Sequence, residues 1–212
     1  MREFGCVSRM KKAVVDAINW RARKIPTWAV YIVCLMPVPY FLYLGMTGGL
    51  GREPINALEH ELGALAFKLL LMGLCISPLR RFAGINLVKF RRVLGLLAFS
   101  YVVLHLLVWA VLDVQALDRI WADIVKRPYI TIGMVAFVLM IPLAVTSNNT
   151  SVRTLGVMWR KVHMLTYLVN ILAALHFVWL SKGFQFEPIA YLVVTVGLLM
   201  IRIPFKRKKA AT

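Results

Sequence analysis

Val93-Leu94-Gly95-Leu96-Leu97-Ala98-Phe99-Ser100-Tyr101-Val102-Val103-Leu104-His105-Leu106-Leu107-Val108-Trp109-Ala110-Val111-Leu112 runs for twenty residues without a formal charge, and a single histidine interrupts it. A helix of about 20 residues rises about 30 Å, the thickness of a bilayer's hydrocarbon core. In lipid a backbone must satisfy its own hydrogen bonds, which leaves helices or closed barrels. A continuous apolar run without period-2 alternation selects the helix.

Five more segments of this kind flank it, giving apolar runs at 27–47, 58–79, 93–112, 129–145, 162–180 and 189–204. The expected fold is an all-α integral membrane protein, a six-helix transmembrane bundle. Its parts are a basic N-terminal segment (1–26), the six-span body (27–205) and a basic tail (206–212). Pro37 and Pro39 lack a donor N–H and predict a kink in the first span. The 113–128 loop has the apolar spacing of a short amphipathic helix lying on the outer surface.

Composition agrees. Of 212 residues, 60% are hydrophobic, against about 45–50% in soluble domains, and mean hydropathy is +0.74. The net charge of +17 raises the question of nucleic acid. The basic residues fall in short clusters between apolar runs, with no continuous basic face, so nucleic-acid binding is excluded. Membrane lipid is the expected surrounding.

The clusters orient the chain. Segments 1–26, 80–92, 146–161 and 202–212 hold 7, 5, 3 and 5 Lys/Arg, twenty of 26. The alternate loops hold only Arg52, Arg119, Lys126, Arg127 and Lys182. The positive-inside rule therefore predicts cytoplasmic termini. Three cysteines, Cys6, Cys34 and Cys75, show no C-x-x-C spacing, so neither a disulfide framework nor a zinc or iron–sulfur site is expected. Glycine-rich phosphate loops and Walker motifs are missing too.

All four histidines, His60, His105, His163 and His176, lie in or at the edges of spans. Ionisable groups inside a membrane are functional hypotheses by default. No matching intramembrane carboxylates suggest a proton relay, which points to metal or haem ligation. His105 lies 12 residues above Val93 and His176 15 above Lys161, about 18 and about 22 Å up their helices. Similar depth on spans three and five predicts a bis-histidine haem between those spans, with no open iron site.

His163 sits 13 residues before His176, about 19.5 Å lower and about 220° around the helix. It cannot share that haem. It could ligate a second, inner haem if a kink corrected its azimuth, and no partner is predicted at its depth. His60 lies too high to serve. For Lys68, midway through span two, two readings stand: a snorkelling stem, or a partner for a haem propionate. Arg91 and Arg92 are positive-inside anchors, or a phosphate site.

The stretches Arg91–Leu96 through Tyr101–Leu106, Arg127-Pro128-Tyr129-Ile130-Thr131, Pro142–Ser147, Leu155–Tyr167 and His176-Phe177-Val178-Trp179 carry a family pattern. Along essentially the whole chain the sequence resembles MsrQ (YedZ), the haem-binding membrane subunits of bacterial periplasmic methionine sulfoxide reductase systems. These belong to the wider ferric-reductase-like transmembrane group. The resemblance implies a multi-pass protein of the bacterial cytoplasmic membrane that moves electrons from the respiratory quinone pool. They pass through haem b, one or two per chain, with FMN as a further cofactor. The acceptor it implies is a periplasmic molybdopterin-containing methionine sulfoxide reductase, so the chain is an electron-transfer subunit rather than the catalytic one. His105, His163 and His176 match the family's haem-associated histidines, and Arg91–Arg92 its flavin-implicated basic pair. Span three has one histidine where NADPH oxidases and ferric reductases have two, which leaves the haem count open. Two other readings are a haem protein donating to a different acceptor, such as ferric iron, and a histidine-containing transporter or proton channel.

Overall fold

The computed structural model describes residues 2–181 and 185–202, and every described element is helical. Lys182, the end of the sixth apolar run and the 206–212 tail lie outside the described residues. Five helices are long and apolar enough to cross a membrane: Thr27–Met46, Pro54–Ala83, Val88–Val114, Pro128–Val145 and Val157–Leu180. A sixth apolar helix, Phe186–Met200, is shorter. The chain is thus a multi-pass membrane protein.

Helix α1 (Arg2–Lys24) precedes the spans. The first span divides into α2 (Thr27–Leu35) and α3 (Pro37–Met46), with the break falling before Pro37, where the kink was expected. Helix α4 (Pro54–Pro78) ends in a π-helical turn, 79–83. Helix α5 (Arg91–Leu107) continues as a wider π-helical turn through Val114. Helix α6 (Leu117–Lys126) is the amphipathic surface helix expected in the 113–128 loop. Its Leu117, Trp121 and Val125, four residues apart, are all exposed on one face. Helices α7 (Pro128–Val145), α8 (Asn149–Leu155), α9 (Val157–His163), α10 (Leu165–Leu180) and α11 (Phe186–Met200) complete the chain.

The core is the α4–α5 pair joined to the α7–α10 pair. Small residues let the helices close up: Ala98 and Ala174 are fully buried, as is Val169. Tyr101, also buried, donates from its hydroxyl to the Cys34 carbonyl at 2.5 Å and ties α5 to the first span. Phe67, Phe177 and Tyr191 form an aromatic cluster with ring centroids 5.5–6.2 Å apart, fastening α11 to α4 and α10. Many large apolar side chains are exposed along the spans, as a lipid-facing surface requires.

Candidate functional site

Between the two helix pairs lies a cavity of about 260 Å³, lined by residues of α4, α5, α7 and α10. A single water's share of volume is about 30 Å³, so the space is sized for an organic group rather than trapped solvent. Val102, Leu106, Ala136, Phe137, Val169 and Phe177 make most of its wall apolar. Asn56, Glu59, His60, Asp113, Arg127 and Tyr129 supply the polar groups, and they sit at the end of the bundle where α4 and α7 begin.

His105 and His176 both line this cavity, with ring centroids 6.4 Å apart and planes at 81°. The depth match read from sequence is thereby met by azimuth. Each ring is held by the neighbouring helix. His105 Nδ1 lies 2.9 Å from the Glu59 carbonyl, and His176 Nδ1 lies 2.7 Å from the Tyr129 carbonyl. A carbonyl only accepts, so both Nδ1 atoms carry the proton and both Nε2 atoms keep their lone pairs.

The two anchors share a pattern. Four residues after each anchoring carbonyl stands a glycine, Gly63 after Glu59 and Gly133 after Tyr129. A Cβ on Gly63 would meet His105 Nδ1 at 3.2 Å and Cε1 at 3.3 Å. On Gly133 it would meet His176 Nδ1 at 2.9 Å and Cε1 at 3.0 Å. In a helix the side chain at i+4 lies directly over the carbonyl of residue i. Only glycine leaves that carbonyl open to a ring arriving from outside. Sequence reading missed both glycines, since each is informative only once the opposing histidine's direction is known.

The geometry passes a simple test for a metalloporphyrin. A metal–imidazole bond of about 2 Å and about 1 Å from nitrogen to ring centre, taken twice, separate the rings by about 6 Å. The observed 6.4 Å fits two axial imidazoles on one iron, within a wall apolar enough for a porphyrin. Among the described residues no group of three or more His, Cys, Asp or Glu is arranged for a bare metal ion.

The other sequence candidates lie elsewhere. The fifth apolar run breaks between α9 and α10, directly after His163. The His163 ring stacks on Trp159 at 4.0 Å, and its Nε2 is 3.1 Å from Thr146 Oγ. That hydroxyl already donates to the Pro142 carbonyl at 2.6 Å, so Nε2 is the donor to it. No described histidine faces His163. Lys68 is exposed on α4 and does not line the cavity. Arg91 donates to Ser77 Oγ on α4 at 2.5 Å, whereas Arg92 donates to Asn149 Oδ1 on α8 at 2.8 Å. The pair diverges and does not form one phosphate clamp.

Comparison with known proteins agrees with this architecture. Residues 62–174, which contain His105, His163, both glycines and most of the cavity wall, match the family of ferric reductase-like transmembrane components. The chain is 44% identical over 191 residues to the haem-binding subunit MsrQ of protein-methionine-sulfoxide reductase from Agrobacterium fabrum. That alignment covers 87% of this chain and 89% of the relative. The proteins of the same name from Brucella ovis and Brucella suis are each 41% identical over 202 residues, covering 91% of this chain and 92% of theirs. No solved structure matches the chain.

Proposed function

Since the chain belongs to the MsrQ family of haem-binding subunits, within the ferric reductase-like transmembrane group, we propose that it is the electron-delivery subunit of a methionine sulfoxide reductase system. In this reading Phe186–Met200 is part of a sixth span and both termini are cytoplasmic, as the basic clusters require. Electrons come from the quinone pool, and the acceptor is a periplasmic molybdopterin-containing reductase. The observation that carries the proposal is the anchored His105–His176 pair in an apolar cavity near the outer surface.

His105 and His176 would hold a b-type haem, which would supply a one-electron carrier. The chain's own contribution is positional. The Glu59 and Tyr129 carbonyls fix the tautomer of each imidazole and aim each Nε2. Phe137, Val102 and Val169 exclude water. Arg127 and His60, at the mouth, are donors where a carboxylate-bearing edge needs them.

A pyridine haemochrome assay on purified protein tests the proposal, and a haem-free protein sinks it. The same assay applied to His163→Ala addresses the inner histidine. The spectrum of the outer pair persists in that variant. A fall from two haems per chain to one would assign His163 to a second haem, and complete loss would overturn the pairing of His105 with His176.

Helix α6 is joined to the cavity lining through its Asp123, which pairs with Arg127, and its exposed face is a surface a soluble acceptor can reach. Asp123 is already paired with Arg127 at 3.1 Å, whereas Asp118 is exposed in the first turn of α6. Charge reversal at Asp118 therefore slows delivery to a basic acceptor surface, and the deficit shrinks as salt rises. Stopped-flow reoxidation by the acceptor across a range of ionic strengths measures this; rates identical to wild type at low salt refute it. Reversal at Asp123 has the same sign but also frees Arg127.

A further inference from the structure

Helix α1 takes no part in the histidine cavity, and its faces differ in chemistry. Between Met10 and Lys24 only Val15, Asn19 and Ala22 are partly or fully buried, four and three residues apart on one face. That face meets the connection after the second span. Asn19 Nδ2 donates to the Gly84 carbonyl at 3.0 Å, and Asn19 Oδ1 accepts from the Asn86 backbone N–H at 2.8 Å. A Cβ on Gly84 would stand 3.4 Å from Val15 Cγ1. Lys89 Nζ donates to the Arg23 and Ile25 carbonyls at 2.9 and 2.7 Å, capping the last turn of α1.

The clip made by Asn19 and Lys89 fixes the roll of the helix and leaves an apolar stripe uncovered. Met10, Val14 and Ile18, each four residues from the next, are 65, 57 and 38% exposed. They lie about 100° around the helix from the clipped face. Lys12, Asp16 and Arg23 fall opposite the stripe. Trp20, 54% exposed, stands at its edge with Lys24 Nζ 3.6 Å from its ring centre. Only Ile25 and Pro26 separate α1 from the first span at Thr27, so the helix begins its course at the membrane surface. Residues 10–24 hold five Lys/Arg and one acid. A second copy of α1, or the basic 206–212 tail, would bring more positive charge to this face, whereas an anionic bilayer surface complements it.

We propose that α1 is an in-plane surface helix that seats Met10, Val14 and Ile18 in the lipid interface. Lys11, Lys12, Arg21, Arg23 and Lys24 then meet anionic headgroups. The partner is the bilayer surface at the end of the bundle where the second and third spans are joined. Basic amphipathic helices bind membranes in this way, by apolar area and by attraction to anionic lipid together. The inference does not depend on the histidine pair or its haem.

Met10 is a built-in reporter, because a methionine in water is open to oxidation and one within lipid is shielded. The full chain is placed in phosphatidylcholine nanodiscs, with and without phosphatidylglycerol. Peptide mass spectrometry then reads Met10 oxidation by hydroxyl radicals and, in parallel samples, acylation of Lys12. In wild type, phosphatidylglycerol slows Met10 oxidation while Lys12 stays reactive. Each basic residue removed weakens the seating about fivefold, so the triple variant Lys11→Gln, Lys12→Gln, Arg23→Gln loses the response to phosphatidylglycerol. Val14→Asp, which puts a charge in the stripe, leaves Met10 open in both kinds of disc. Circular dichroism checks that each variant is folded, and all four positions are exposed. Met10 oxidised at one rate with and without phosphatidylglycerol, or shielded as well in the triple variant as in wild type, overturns the proposal. Shielding found only with two chains per disc gives the face to a second copy and overturns it as well.

Discussion

Alanine at His105 or at His176 removes the low-spin b-type spectrum of the purified protein, and each single variant is as severe as the double. The two rings face one another at 6.4 Å across one cavity, so neither can hold an iron in six-coordinate form alone. Disturbing the groups around a metal ligand costs about 10–100-fold in metal affinity, and deleting the ligand itself costs more. The measurement is the reduced-minus-oxidised difference spectrum together with haem per chain. Circular dichroism should show the helices retained, since these are two partly buried side chains in a core built mainly by α4 and α5. A full wild-type spectrum in both variants would falsify the pairing. Retention in one of them, with a shift to a high-spin form, would show that the other ring binds first.

The second large effect comes from residues with no side chain. Gly133→Ala places a methyl group 2.9 Å from His176 Nδ1, closer than atoms in contact can sit. The ring cannot simply step aside, because the Tyr129 carbonyl holds the same nitrogen at 2.7 Å. Haem occupancy falls about 10–100-fold, the range for losing an outer-shell anchor. Gly63→Ala is milder, since its contacts with His105 are 3.2 and 3.3 Å and a few tenths of an ångström of adjustment relieve them. The order of severity, Gly133 before Gly63, is itself a prediction. A Gly133→Ala protein with normal haem content and unaltered spectrum would show that the close approach has no functional weight. Alanine is otherwise the better helix former, so helix stability should not fall in either variant for any reason but this contact.

Much of this architecture could be read before any coordinates. The run from Val93 to Leu112 demanded a spanning helix through its length and lack of charge, and depth alone put His105 level with His176. Pro37 located the break in the first span because its missing N–H acts through chain connectivity. The site's finer construction was not legible, and the reason is geometric. Whether a glycine matters depends on what lies across the helix interface, and Gly63 and Gly133 resemble the other glycines of apolar helices until His105 and His176 are seen against them. The anchoring partners of the rings are backbone carbonyls, which every residue possesses. Lys68 could not be assigned because a charge midway along a span says nothing about azimuth; on the folded chain it is exposed and does not line the cavity. His163 shows the same limit from the other side. The break after it was allowed for, but the stacking on Trp159 and the bond to Thr146 depend on where α7 ends.

The matched anchors also bear on speed. An electron carrier is fast when little has to move as its charge changes, and flexible ligands are the usual source of such movement. Here each imidazole is pinned at one nitrogen by a helix backbone, beside a glycine of the same helix at which any side chain would crowd the ring. The carbonyl that holds each ring belongs to a separate, well-packed helix, α4 for His105 and α7 for His176. With a haem held by this pair, inner-sphere reorganisation would be small, and the two oxidation states would share almost the same ligand geometry.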